Sequence, residues 1–290
     1  MQHPFAVAES GALTAARNAD AVVPWWSFGK TVIAAAALLL VQQKRHALDR
    51  PLANRRYTLR HLLQHRAGVA NYGDLAAYHE AVAAGEEPWP IALLLERTQA
   101  DRLRYEPGQG WSYSNIGYLF VRELIEQTCG QDFGAALCDL VLRPLGITEA
   151  RVAQTHADLA GVGMGVKSYH PGWVYHGLIV GPLQEAALLL DRLLSGALLS
   201  PDMLEQMRAA RRLDVISDGR PWSAPAYGLG LMCGTASNGM RAIGHTGGGP
   251  GSVIAVYHVP DAERPYTAAA FAFGDDAGSI EERVLNRGAG

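Results

Sequence analysis

Trp25-Trp26-Ser27-Phe28-Gly29-Lys30, followed by the apolar run Thr31-Val32-Ile33-Ala34-Ala35-Ala36-Ala37-Leu38-Leu39-Leu40-Val41, is the stretch on which the fold turns. An aromatic, turn-like segment gives way to eleven uncharged residues, too few to span a bilayer and enough for a buried core helix. We place that helix from just after Ser27 to about His46, ahead of the breaker Asp49-Arg50-Pro51. Ser27 and Lys30 stand three residues apart at its start, so a hydroxyl and an amine share one face.

The pairing has a chemical use. Serine is a poor nucleophile until a neighbour takes its proton, and an amine does so only when its pKa is lowered. Trp25, Trp26, Phe28 and Ile33 surround the pair in sequence, and both burial and the positive end of the helix dipole disfavour an ammonium. Unpaired N–H groups at the helix start suit an oxyanion. Of 25 basic residues only Lys30, Lys44 and Lys167 are lysines, and lysine, unlike arginine, can give up its proton.

On the N-terminal side, Phe5–Ser10, Gly11 and Ala12–Ala16 read as a short hairpin. On the C-terminal side, helical patterns follow at Leu59–His65, Leu93–Arg97, Ile116–Thr128, Phe133–Leu142 and Leu183–Leu194. From about 226 the pattern changes to strands: Tyr227–Met232, Ser252–Val259 and Thr267–Phe273. Strands at both ends with helices between them predict an α+β fold, an α/β sandwich. Its antiparallel sheet is built from both chain ends and flanked by helices, with an all-helical lobe inserted. The division is 1–55 with 215–290 for the sheet and 56–214 for the lobe, with a cleft at the junction.

Composition narrows the function. The 290 residues are 49% hydrophobic and 18% charged, as in an ordinary globular protein. A net charge of -3 without a basic stripe argues against nucleic acid and anionic membrane surfaces as partners. No secretory leader and no membrane span is visible, and Cys129, Cys138 and Cys233 are odd in number without ligand-like spacing. These features predict a cytoplasmic protein with reduced thiols.

Two further motifs complete a candidate site. Trp111-Ser112-Tyr113-Ser114-Asn115 follows the turn Tyr105-Glu106-Pro107-Gly108 and precedes a helix. A tyrosine beside a cationic lysine has its pKa lowered and acts as general base and acid; an asparagine orients a substrate amide or the lysine. His245-Thr246-Gly247-Gly248-Gly249-Pro250-Gly251 precedes a strong strand, and its glycines permit close approach of substrate to a sheet edge. Each motif alone has a plainer reading, as a helix cap and as a hairpin loop. Together with Ser27-x-x-Lys30 they arise from composition about once in a thousand such chains.

In this order, Ser27-x-x-Lys30, Tyr113-x-Asn115 and His245-Thr246-Gly247 resemble the three active-site motifs of the serine β-lactamase and penicillin-binding-protein superfamily. The branch resembled is that of class C β-lactamases, DD-peptidases and family VIII esterases. His61-Leu62-Leu63-Gln64-His65-Arg66-Ala67-Gly68, Tyr105–Gly108, Arg143-Pro144-Leu145-Gly146-Ile147 and Tyr227-Gly228-Leu229-Gly230 extend the likeness over roughly residues 5 to 285. The resemblance implies Ser27 as acylated nucleophile and Lys30 with Tyr113 as the proton-transfer pair. It implies Asn115, His245, Thr246, Gly247 and Gly248 as substrate-binding residues, with the N–H groups of Ser27 and Gly248 as oxyanion hole. His245 would assist proton transfer or bind a substrate carboxylate.

The implied activity is a serine hydrolase forming an acyl-enzyme from a small ester, amide or D-amino-acid peptide, without metal or other cofactor. β-Lactamases of this branch usually carry lysine where this chain has His245. A mostly neutral imidazole is a weaker anchor for a β-lactam carboxylate, so β-lactamase activity is expected to be weak at most. The alternative is a non-catalytic binding or regulatory relative of penicillin-binding proteins. The oligomeric state is not legible in the sequence.

Other candidates are weaker. His61 and His65 have the i, i+4 spacing of a zinc helix but lack its glutamate and a third ligand. Gly161-Val162-Gly163-Met164-Gly165 lacks the strand and helix of a phosphate loop. Trp173, Tyr175 and His176, in His170–Gly177, either line the cleft or pack beside it.

Overall fold

The computed structural model describes residues 3–214 and 219–288. Strands β1 (Phe5–Glu9), β2 (Ala12–Arg17) and β3 (Val22–Pro24) lead through a tight turn at Trp26–Phe28 into helix α1 (Gly29–Gln42). Helices α2 (Leu59–Leu63), α3 (Ala76–Ala83), α4 (Ile91–Arg97), α5 (Asn115–Cys129) and α6 (Phe133–Leu137) come next. Strands β4 (Arg151–Ala153) and β5 (Leu178–Pro182) precede helices α7 (Leu183–Leu194) and α8 (Pro201–Arg208). The chain ends with β6 (Arg211–Arg212), β7 (Trp222–Tyr227), β8 (Met232–Ala236), β9 (Arg241–Gly249), β10 (Ser252–Val259), β11 (Tyr266–Phe273) and helix α9 (Ala277–Leu285).

An antiparallel sheet in the order β2-β1-β11-β10-β9-β8-β7-β6 joins both ends of the chain. Its central strands are buried on both faces, so their residues run apolar without alternation. Alternation survives in where they go. Ile254 and Val256 of β10 enter the large core around α1, whereas Val253, Ala255 and Tyr257 enter a second core under α9. Helix α7 packs on the α1 side against β1, β10 and β11.

Helix α1 is buried almost all round, as its uncharged sequence predicts, and its alanines let neighbouring elements approach closely. It ends at Gln42, earlier than expected, because Lys44 takes a left-handed φ of 60° that stops the helix before the Asp-Arg-Pro breaker.

Two expectations are corrected. The inserted segment is not all helical, since β4 and β5 pair with β3 in a second sheet of order β3-β5-β4. Leu178–Pro182 is a short apolar run, which periodicity cannot assign. Tyr227–Met232 is not one strand. Tyr227 ends β7, Met232 begins β8, and residues 228–231 form the turn between them, where Gly230 (φ 70°) sits against α1 so closely that a Cβ would lie 2.4 Å from that of Ala34. The sequence pattern assigns no strand to His245–Gly249, which forms the end of β9. The expected boundary at 215 lies outside the described residues.

Candidate active site

Ser27 lies in the turn that enters α1, after Trp26 with φ of 43°. A non-glycine residue there is strained, and it is held by burial and by the Trp26 indole N–H, which donates to Ser252 Oγ at 3.1 Å. The third motif fits against this turn. A Cβ on Gly247 would come within 2.6 Å of the Ser27 nitrogen, and one on Gly249 within 2.5 Å of the Trp26 ring. Pairing with β8 ends at Met232–Gly244, and β9 continues past it alongside Ser27.

Lys30 is fully buried. Its Nζ lies 3.2 Å from Ser27 Oγ, 2.7 Å from Asn115 Oδ1 and 3.2 Å from His176 Nε2. The rings of Tyr113 and Tyr118 stand 4.9 and 5.5 Å from it. Burial holds the amine well below the ordinary lysine value. Tyr113 responds the other way: burial pushes its phenol up, against a smaller pull from the Ser27 hydroxyl. The expected lowering of the tyrosine pKa is therefore corrected, because its lysine neighbour is itself driven toward the neutral form.

Asn115 has a fixed orientation. Its Nδ2 donates to Asn71 Oδ1 at 3.1 Å, and Asn71 Nδ2 donates in turn to Asp74 Oδ1 at 3.0 Å. The carboxylate at the end of this chain accepts only, so Asn115 presents its oxygen to Lys30.

His245 belongs to a second cluster, also with fixed directions. The Ser114 backbone N–H donates to His65 Nδ1 at 3.1 Å, which places the His65 proton on Nε2, 3.2 Å from the Tyr227 hydroxyl. At the other end His245 Nδ1 lies 2.7 Å from the Thr246 carbonyl and must carry a proton, while its Nε2 lies 2.9 Å from the same tyrosine. The bonds run one way: Ser114 N–H to His65, His65 N–H to Tyr227, Tyr227 O–H to His245. Burial foremost, with the Lys30 charge adding to it, holds His245 down to about 3, and His65 is likewise lowered by burial.

Thr246 points away from this cluster. It lies opposite Ala255 of the α9 core, as His245 lies opposite Val256 of the α1 core. Its hydroxyl donates to Glu281 of α9 and lies 2.8 Å from the Tyr257 hydroxyl. The buried Glu281 is matched by the Arg220 guanidinium and the Trp222 indole N–H at 3.0 Å. Strand alternation thus takes the Thr246 side chain out of the cleft into which it was expected to project.

A cleft of about 360 Å³ opens at Ser27, lined by Trp26, Tyr72, Gly73, Tyr78, His79, Val82, Asn115, Tyr169, Val174, His176 and Gly248–Pro250. A smaller cavity of about 110 Å³ adjoins Tyr113, with Trp111, Arg220, Trp222, Tyr227 and Met232 among its walls. The other histidine pair does not converge. His61 caps α2, its Nδ1 accepting from the Thr58 N–H at 3.3 Å, and His65 has left the helix with φ of 57°.

Residues 4–276 match the family described as Beta-lactamase. The chain belongs to the beta-lactamase family. Within it, the chain is 26% identical over 244 residues to the D-aminopeptidase of Brucella anthropi, covering 81% of this chain and 45% of that protein. It thus spans about half the length of this relative. The fold resembles that of D-amino acid amidase from Ochrobactrum anthropi SV3, with a TM-score of 0.80 at 20% identity over 98% of this chain and 94% of that one. It also resembles a D-stereospecific amidohydrolase from Streptomyces sp., with a TM-score of 0.77 at 23% identity over 99% and 95% of the two chains. Both are likenesses of fold.

His176 is the site residue that sequence reasoning left undecided between cleft and packing. Its only sequence signal is its place in an aromatic stretch just before an apolar strand. Among the described residues no group of three or more His, Cys, Asp or Glu side chains forms a metal-binding cluster, and no helix is long and apolar enough to cross a membrane.

Proposed function

We propose that this chain is a serine hydrolase that transfers the acyl group of a small ester or amide to water through an acyl-enzyme on Ser27. The observation that carries this reading is the buried Lys30 amine, lowered in pKa and 3.2 Å from Ser27 Oγ at the mouth of the cleft. Lys30 takes the Ser27 proton as Oγ bonds to the substrate carbonyl carbon. The carbonyl π pair moves to oxygen, where the N–H groups of Ser27 and Gly248 hold the oxyanion. Tyr113, protonated at neutral pH, passes a proton from the Lys30 ammonium to the departing alkoxide or amine as the oxyanion collapses. Water then repeats the sequence on the ester.

Asn115 orients Lys30 and leaves its second amide hydrogen for the substrate. His245 is read as structural: Tyr227 occupies its Nε2 and the Thr246 carbonyl its Nδ1–H, so it offers no free proton and no charge for a substrate carboxylate. Among the described residues the cleft lining contains no Asp, Glu, Lys or Arg and is rich in aromatic rings, which favours an uncharged acyl group with an apolar or aryl side chain. The D-aminopeptidase and D-amino acid amidase relatives support amide chemistry.

The test is hydrolysis of short p-nitrophenyl esters and neutral amides by wild type and Ser27→Ala. The variant is expected to lose about five orders of magnitude or more in turnover. Undiminished turnover would remove Ser27 from the reaction.

A further inference from the structure

Strands β3 and β5 run antiparallel with Pro24 opposite Val180, and the Trp25 N–H continues the ladder to the Ile179 carbonyl at 2.8 Å. The residues after Trp25 therefore meet those before Ile179. Gly177 turns the chain there with φ of 98°, and a Cβ would strike the Phe133 ring at 2.6 Å. The pairing delivers His176, 3% exposed, to the first turn of α1, with Nε2 3.2 Å from Lys30 Nζ.

Three groups thus surround the Lys30 nitrogen: Ser27 Oγ, Asn115 Oδ1 and His176 Nε2. Asn115 Oδ1 accepts in every state. A neutral amine has two N–H bonds, which fit Asn115 and His176, and a lone pair that fits the Ser27 hydroxyl. Once it takes the Ser27 proton it has three, and without His176 one would be buried and unmatched.

We propose that His176 is a positioning residue for Lys30, a neutral imidazole protonated on Nδ1 whose Nε2 accepts an N–H of Lys30 throughout and so stabilises the ammonium formed when Ser27 attacks. This rests on the reading of Ser27 and Lys30 as nucleophile and base. Among the described residues the buried His176 Nδ1 has no hydrogen-bond partner, so the hydrogen bond of this ring is the one at Nε2. Burial foremost, and then the basic groups Lys30, Arg122, His245 and His65, disfavour a charge on His176. Arg122, on α5, is engaged by Glu126 at 3.3 Å and the Tyr175 carbonyl at 3.2 Å, and the remaining faces of Lys30 are covered by the Tyr113 and Tyr118 rings. The proton that moves is accounted for: it leaves Ser27 Oγ, resides on Lys30 Nζ and departs with the leaving group, and His176 neither gains nor loses one.

The experiment is the pH dependence of kcat/KM for a p-nitrophenyl ester in wild type, His176→Leu and His176→Gln. It is run after wild-type activity and its loss in Ser27→Ala are established, so that failure of the parent reading is seen separately. The low-pH limb reports deprotonation of Lys30. Losing an acceptor from a charged donor should move that limb down by about one pH unit and lower the plateau by about tenfold, and Gln, whose Oε1 accepts, should restore both. A limb that stays in place or moves up in the Leu variant overturns the proposal, since upward movement means that His176 donates to the amine. Long-range proton–nitrogen correlation on wild type, with His176→Gln as the assignment control, gives a second reading that needs no stable Leu variant. An unprotonated Nε2 at neutral pH is expected, and a protonated one overturns the assignment.

Discussion

Two buried hydrogen-bond clusters meet at the Tyr113 ring, and they differ in whether a proton can move. Around Lys30 the Asn115 oxygen is fixed as an acceptor, while the Ser27 proton can sit on either Oγ or Nζ. Around His245 a backbone N–H at one end and a backbone carbonyl at the other dictate every proton from Ser114 to Thr246. Two histidines within one site therefore have unlike roles, set by the atoms behind them. On the proposed reading the Lys30 cluster supplies reactivity, at the cost to the fold of a buried amine, and the His245 cluster supplies structure.

Lys30→Met should separate these contributions most strongly. Loss of the base is expected to reduce kcat/KM by about three to four orders of magnitude. The same substitution should stabilise the protein at neutral pH by about 1–4 kcal/mol, because a buried amine is replaced by an apolar side chain of similar length. The sign follows from linkage. The folded pKa lies below the unfolded value of 10.5, so the unfolded chain binds more protons between the two, and wild-type stability rises with pH across that interval. Urea titrations from pH 7 to 10 should show the advantage of the Met variant shrinking; a constant or growing advantage would mean that Lys30 is not held neutral by burial.

Tyr227→Phe should do the opposite. It removes the acceptor of the His65 N–H and the donor to His245, at a cost of about 1–3 kcal/mol in stability, while kcat/KM stays within about tenfold. A large loss of activity with unchanged stability would place His245 in the chemistry.

A smaller effect concerns acid. His245 is depressed to about 3, and His65 and His176 are held well below the ordinary value of 6.5 by burial. Their contribution to stability is complete above pH 6.5 and is lost as pH falls below it, at about 1.4 kcal/mol per pH unit for each histidine. His245→Asn should flatten the decline between pH 6 and 5 by one such increment, measured by urea unfolding at the two pH values. An unchanged slope would show that His245 titrates normally.

Much of this was legible in the sequence because it depends on short-range constraints. A hydroxyl and an amine three residues apart at a helix start need no tertiary information, and the strand patterns at 5–10, 12–16, 252–259 and 267–273 announced a sheet made from both ends. What was missed is long-range. Gly228–Leu231 read as strand because the approach of α1 to Gly230 is a contact between distant segments. Thr246 read as a cleft residue because its facing follows from the register of β9 on β10. The place of His176 depends on the pairing of β3 with β5, two short strands far apart in the chain. Tyr113 was assigned a lowered pKa from its neighbour alone, whereas burial acts on both members of the pair.

The claim on which the rest depends is that Ser27 carries the acyl group. Peptide-mapped mass spectrometry after incubation with a fluorophosphonate measures it directly. The account predicts one covalent adduct, located at Ser27, much slower to form in Lys30→Met and absent in Ser27→Ala. An unlabelled wild type, as expected of a non-catalytic relative, or an adduct on another residue that persists in Ser27→Ala would contradict it.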